Sequence, residues 1–227
     1  MSIATNLQNT LNSIPDHVQL VVVSKTRTHE EIMEAYRAGQ RHFGESKAQE
    51  LTPKAEDLPE DIQWHMVGHL QSNKVKYIVP FVSLIHSVDK LKLLKVINKE
   101  GKKNNRVVPV LLQLHIAEES TKFGMDYEEA CSLLESEEYR DMKFVDVRGL
   151  MGMATFTDDK EQVRREFKEL KHSFDSIREK YFPASPSFKI LSMGMSDDYQ
   201  EGIREGSNMV RIGTAIFGPR QNMTTPK

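Results

Sequence analysis

Lys25 follows the run Leu20-Val21-Val22-Val23 after a single serine, an unusual place for a charged side chain. The run reads as a strand buried on both faces. A lysine at its end loses solvation, which favours the neutral amine that can attack an aldehyde. The competing reading is a lysine that snorkels to water or pairs with an acid. A second group of candidates lies in Ser192–Asp198 (SMGMSDD) and Met209–Thr214 (MVRIGT). Gly194 gives backbone freedom there, and Ser196 is placed to cap a following helix. Arg211, Gly213 and Thr214 end the next apolar run. Backbone N–H groups freed by glycine, a hydroxyl and a helix N-terminus are what a phosphate monoester needs. An ordinary capped turn beside a structural arginine would have the same composition.

Taken together, these residues specify an aldehyde that carries a phosphate, with Lys25 at one end and Ser196, Gly213 and Thr214 at the other. Pyridoxal 5′-phosphate (PLP) fits, and so does a sugar phosphate in a Schiff-base aldolase. The remaining candidates carry less. His65 and His69 are four apart, the spacing of a metal pair on a helix. However, QWHMVGHL reads as strand and loop broken by Gly68, with no third ligand in view, so no metal site is expected. His42, His86 and His115 fall in expected strands, where lining the interior or satisfying a core hydrogen bond is the ordinary role. Met151, Met153, Met193 and Met195 are expected to fill core space. Glu118-Glu119 and Lys102-Lys103 read as solvated faces. The single cysteine, Cys131, allows neither an internal disulfide nor a cysteine zinc site.

The elements that must position these groups alternate. Short apolar runs at Gln19–Ser24, Arg41–Gly44, Gln63–Gly68, Ser83–Val88, Val107–Ile116, Lys143–Leu150, Phe188–Ser192 and Met209–Gly213 predict eight strands separated by amphipathic stretches. Thr28 with Glu31, and Asp126 with Glu129, form capping-box patterns. Asp89 is read as opening a helix that ends at Gly101 before two lysines. Asp158–Tyr181 carries Val163, Phe167, Leu170, Phe174, Ile177 and Tyr181 on one face. Residues 1–14 predict a further helix covering the bottom of the fold. An open nucleotide-binding sheet would show a glycine-rich turn after its first strand, whereas here that strand runs into VVVSKTRTHEE. The expected architecture is therefore an α/β fold, a (β/α)8 barrel, with residues 1–227 forming one domain. In such barrels reactive groups sit at the C-terminal ends of strands, and phosphate sites recur after strands seven and eight. Lys25 and the Ser196–Thr214 group occupy those positions.

A formal net charge of −2 without a basic run argues against a nucleic-acid surface. An anionic ligand must then be held by a local site rather than by a global field. The first 20 residues have neither a basic start nor an apolar core of the signal-peptide kind. No stretch approaches the ~20 apolar residues of a membrane span. A cytoplasmic location is expected.

The motifs VSKT around Lys25, FGES at 43–46, QWHMVGHLQSNK at 63–74, RGLMGMA at 148–154, LSMGMSDD at 191–198 and VRIGTAIFG at 210–218 resemble the YggS/PLPBP (PROSC) family. The resemblance runs from about residue 18 to Gly218. It implies a barrel like the N-terminal domain of alanine racemase and a role in PLP homeostasis. It also implies a Schiff base on Lys25, Ser196, Gly213 and Thr214 at the phosphate, and Arg211 near the pyridine nitrogen. A cation beside that nitrogen disfavours the protonated ring and weakens the cofactor as an electron sink. Ser46 stands where the family commonly has asparagine, so a hydrogen bond made by that amide is not carried over. The expectation is a monomeric, non-catalytic carrier that buffers PLP or supplies apo-PLP enzymes. The alternative is an amino-acid racemase, which needs a base on each face of the substrate. The chain ends nine residues after Gly218, so the racemases' C-terminal β-domain is expected to be missing.

Overall fold

The alternation is realised strand by strand in the computed structural model, which describes residues 2–118 and 123–219. Helix α1 (Ile3–Asn12) precedes β1 (Gln19–Val23), and α2 (His29–Arg37) precedes β2 (His42–Glu45). Next come α3 (Ala48–Asp57), β3 (Gln63–Met66), α4 (Val75–Ile78) and β4 (Leu84–Val88). They are followed by α5 (Leu91–Lys103), β5 (Val108–Gln113), α6 (Tyr127–Glu135), α7 (Glu137–Arg140) and β6 (Val145–Met151). The last described elements are α8 (Lys160–Tyr181), β7 (Ile190–Ser192), α9 (Tyr199–Arg204), β8 (Met209–Ile212) and α10 (Thr214–Phe217).

The strands pair in sequence order, all parallel, and β8 returns to β1 to close the barrel, with Val21 opposite Arg211. Alternation along each strand sends one set of side chains to the axis and the other to the helices. Val21, Leu84, Leu111, Met151 and Met209 form a small apolar cluster of their own. The larger core lies between strands and helices and includes Phe43, Phe167, Leu170, Ile177 and Phe188.

Both capping boxes form, at Thr28–Glu31 and Asp126–Glu129. The long helix α8 starts at Lys160, two residues later than read, because Asp159 is its N-cap and accepts from Glu161 N and Gln162 N. Helix α5 departs further. Asp89 does not cap it; its carboxylate lies 3.3 Å from His69 Nδ1. Gly101 does not end it either. A Cβ there would meet the carbonyl oxygens of Arg106 and Phe144 at 2.8 Å, so the glycine serves close packing inside the helix. Strand β5 is shorter than its apolar run, because Met125 folds back and bonds to Gln113 O and His115 N. His115 thus lies past the strand rather than in it. Helix α1 packs against α2 and α10 on the flank of the barrel, with Asn6 Nδ2 donating to Ile216 O at 3.0 Å. Helix α10 is a single turn and cannot cover β8 and β1 alone, which leaves that flank, rather than the bottom, for α1. Met1 and Glu119 lie outside the described residues; Glu118, Lys102 and Lys103 are exposed.

Candidate functional site

A cavity of about 370 Å³ opens at the C-terminal ends of the strands. Lys25, Ser196, Arg211, Gly213 and Thr214 all line it, so the five residues singled out in the sequence converge on one place. Lys25 enters from the turn after β1. Ser196 enters from the loop after β7, and Gly213 and Thr214 from the end of β8.

Ser196 does not cap α9, which begins at Tyr199. The carboxylate in that turn is Asp198, whose Oδ1 accepts from Met195 N at 2.6 Å. Ser196 Oγ turns across to β8 and accepts from Gly213 N at 3.3 Å. The turn that permits this passes through Gly194 at φ +97°, where a Cβ would also approach Tyr199 Cα to 2.8 Å. A hydroxyl and a backbone N–H are thereby joined beside the Thr214 side chain.

Arg211 is almost fully buried at the cleft floor. Its Nη1 donates to Ser192 O (2.8 Å) and Ser192 Oγ (2.6 Å), and its Nη2 donates to Gly152 O (3.0 Å). Burial lowers the guanidinium to about 10, against a raising effect from Asp198, so it is a cation at neutral pH. Among the described lining residues the basic side chains are Lys25, Arg27 and Arg211 and the carboxylate is Asp197. Arg27 also pairs with Glu31 at 3.1 Å, which leaves Lys25 and Arg211 as the main positive charges. This is the local positive site that a chain of net charge −2 needs for an anion. The donor set, a primary amine, a fixed guanidinium and a hydroxyl–amide pair, suits a phosphorylated aldehyde.

Several neighbours were not legible as site residues. His69 lines the cleft, stacked on Phe123 with ring centroids 4.2 Å apart. Met153 and Met195 line it as well rather than filling the core, whereas Met151 and Met193 are fully buried. Below the floor runs a chain of three histidines. Ser192 Oγ lies 3.1 Å from His86 Nδ1, His86 Nε2 lies 2.9 Å from His65 Nδ1, and His65 Nε2 lies 3.0 Å from His42 Nδ1. All three have lowered pKa values, chiefly through burial, His65 to about 3. The signal was present as one inward histidine on each of β2, β3 and β4, but their mutual contact depends on the stagger of the closed sheet. A buried ion pair, Lys54 with Glu45 at 2.7 Å, also lies behind Lys25. Among the described residues no group of histidine, cysteine and acidic side chains could hold a metal ion, and no helix is long and apolar enough to cross a membrane.

Fold and site define a (β/α)8 barrel whose C-terminal mouth gathers an amine, a guanidinium and a hydroxyl–amide cup. The family "Alanine racemase, N-terminal domain" matches residues 1–221. The pyridoxal phosphate homeostasis protein of Aquifex aeolicus (strain VF5) is 40% identical over 205 residues, covering 89% of this chain and 87% of that protein. PipY of Synechococcus elongatus PCC7942, solved with PLP bound, superposes with a TM-score of 0.86 at 33% identity. That match covers 96% of this chain and 100% of PipY. An alanine racemase of Clostridium difficile 630 shares the fold at a TM-score of 0.76 with 15% identity. It covers 100% of this chain but 59% of the racemase. The chain belongs to the family of pyridoxal phosphate homeostasis proteins.

Proposed function

We propose that the cleft binds PLP, with Lys25 forming the Schiff base, and that the protein buffers or supplies the cofactor within the cell instead of turning over amino acids with it. The observation that carries this reading is the convergence of Lys25, buried Arg211 and the Ser196–Gly213–Thr214 cup on one cavity. The names of the relatives and the PLP bound to PipY support it. Bond formation between amine and aldehyde releases water and needs no oxidant or reductant. Bound PLP supplies a reactive aldehyde and an electron-withdrawing ring. Ser196 Oγ, Gly213 N and Thr214 Oγ1 would orient the phosphate. Arg211, held by Ser192 and Gly152, would present a fixed cation to the pyridine nitrogen and discourage its protonation. That arrangement suits holding the cofactor better than stabilising a carbanion on it.

The racemase alternative keeps one observation in its favour. His69, 3.3 Å from Asp89, lines the same cleft as Lys25 and would supply a second base, while His65 is engaged inside the barrel. The test runs three assays on one preparation. Borohydride reduction after PLP loading, followed by peptide mapping, should label Lys25; a label confined to other lysines would remove the proposed bond. Incubation of the holo-protein with L-amino acids in deuterated water should give negligible α-deuterium, while apo-PLP enzymes in parallel samples regain activity. Deuterium incorporation on the order of 1 s⁻¹ or faster would make the protein a racemase-like enzyme.

A further inference from the structure

Helix α3 grips the backbone on both sides of Lys25. On one side, the buried Lys54 Nζ donates to the Ser24 carbonyl (2.9 Å) and to Glu45 Oε1 (2.7 Å). Ser24 Oγ donates to the same Glu45 oxygen at 2.7 Å, closing a ring of contacts around the residue that precedes Lys25. On the other side, Thr26 N donates to Glu50 Oε2 at 3.0 Å. Glu50 is the third residue of α3, a position whose acid commonly folds back on its own helix cap. Here it reaches to the neighbouring turn instead, and α3 has no side-chain cap. Thr26 also sits at φ +65°, a left-handed conformation that a β-branched residue rarely adopts unless its surroundings enforce it.

Stability alone is a weak reason for these groups. Removing Glu45 and Lys54 from water costs much of what their attraction returns, and an apolar pair would hold α3 to β2 comparably well. Glu45 is fully buried with Oε2 lacking a hydrogen-bond partner. An apolar pair could not supply a donor aimed at the Ser24 carbonyl or an acceptor for the Ser24 hydroxyl.

We propose that Glu45, Lys54 and Glu50 are positioning residues that hold the Ser24–Thr26 turn so that the Lys25 amine meets a bound aldehyde in the cleft. This rests on the reading of Lys25 given above. None of the three lines the cavity, so their effect should fall on the covalent part of binding and spare the contacts made by the phosphate and ring.

Pyridoxamine 5′-phosphate separates the two parts, because it keeps the phosphate and ring but carries an amine that cannot bond to lysine. Kd values for PLP and for pyridoxamine 5′-phosphate would be measured on the full chain and on Lys54→Met, Glu50→Met and Glu50→Gln. Lys54→Met should raise the PLP Kd about tenfold or more, and Glu50→Met severalfold, in line with the loss of hydrogen bonds to charged groups. Binding of pyridoxamine 5′-phosphate should stay within about twofold of the parent in each variant. Glu50→Gln keeps the acceptor for Thr26 N and should bind both ligands like the parent. Equal weakening for both ligands, or an unchanged PLP Kd, would overturn the proposal. If Lys54→Met does not fold, the Glu50→Met and Glu50→Gln pair decides alone. A parent protein that takes no borohydride label on Lys25 defeats the functional reading itself, whereas a labelled parent with unaffected variants defeats only the positioning.

Discussion

Arg211 makes three hydrogen bonds to protein acceptors, two to Ser192 and one to Gly152, which hold the guanidinium in one orientation. If it faces the pyridine nitrogen, Arg211→Glu should favour a protonated ring and change the absorption spectrum of the PLP-loaded protein and its pH dependence. If Arg211 only braces β7, the folded fraction of that variant should keep the parent spectrum. The cup at the other end makes a separate prediction. Ser196→Ala combined with Thr214→Val removes two hydroxyls beside Gly213 N, each worth about 1.5–3 kcal/mol when bonded to a charged group. PLP affinity should fall by an order of magnitude or more on titration, with the apoprotein still folded and losing no more than the one hydrogen bond from Gly213 N to Ser196 Oγ. These residue types were legible because a lysine after an aliphatic run, and a glycine beside hydroxyls at strand ends, depart from what packing alone requires. Ser196 was misread as a helix cap because a serine before two aspartates has the local pattern of one. Its actual partner, Gly213 N, comes from a different strand.

Between elements, the histidines of β2, β3 and β4 form a chain of contacts that ends on the Ser192 hydroxyl, to which Arg211 donates. Arginine has no acceptor, so Ser192 Oγ receives from Arg211, which leaves the serine proton available to His86 Nδ1. With the serine proton placed there, each ring donates from Nε2 to the next, His86 to His65 and His65 to His42. Their lowered pKa values keep all three imidazoles neutral at neutral pH. Their pKa values are lowered on folding, His65 to about 3, whereas an unfolded histidine binds its proton near an ordinary value of about 6.5. From about pH 6.5 down to about 3 the unfolded chain therefore holds more protons, and stability falls as the pH falls. The slope is at most about 1.4 kcal/mol per pH unit for each buried histidine, with less from the half-buried His42, which solvent screens. Denaturant unfolding as a function of pH should show this loss, and His65→Gln should flatten it; an unchanged slope would mean that carboxylates alone carry the acid sensitivity. The helices behave more simply. Phe167 is fully buried on the apolar face of α8, so Phe167→Ala should cost about 3–5 kcal/mol, read as a lower unfolding midpoint.

For the whole molecule, binding to the folded state alone shifts the melting temperature by mass action. PLP at about 100 times its Kd should add about 2.7 kcal/mol, or about 5–10 °C for a domain of this size. A melting scan with and without PLP checks this, and the Lys25→Ala variant should lose most of the shift relative to its own apoprotein. The sequence by itself determined the parts whose causes are local. The eight apolar runs, the two capping boxes and the periodic face of α8 each follow from backbone sterics, hydrogen bonding and helical period within a few residues. The count and alternation of those parts, with no glycine-rich turn after the first strand, was enough to choose a closed barrel. Tertiary structure decided what depends on closure. Pairing β1 with β8 sets Val21 opposite Arg211 and brings Lys25 beside Thr214, although these residues lie near opposite ends of the chain. The stagger of the sheet lines up three histidines that sequence spacing leaves apart, and a one-turn α10 draws α1 to the flank. Gly101 reads as a helix stop until Arg106 and Phe144 are packed against it. Apart from the local Gly101–Arg106 approach, the deciding contact in each case joins distant elements, and its geometry exists only once those elements have packed.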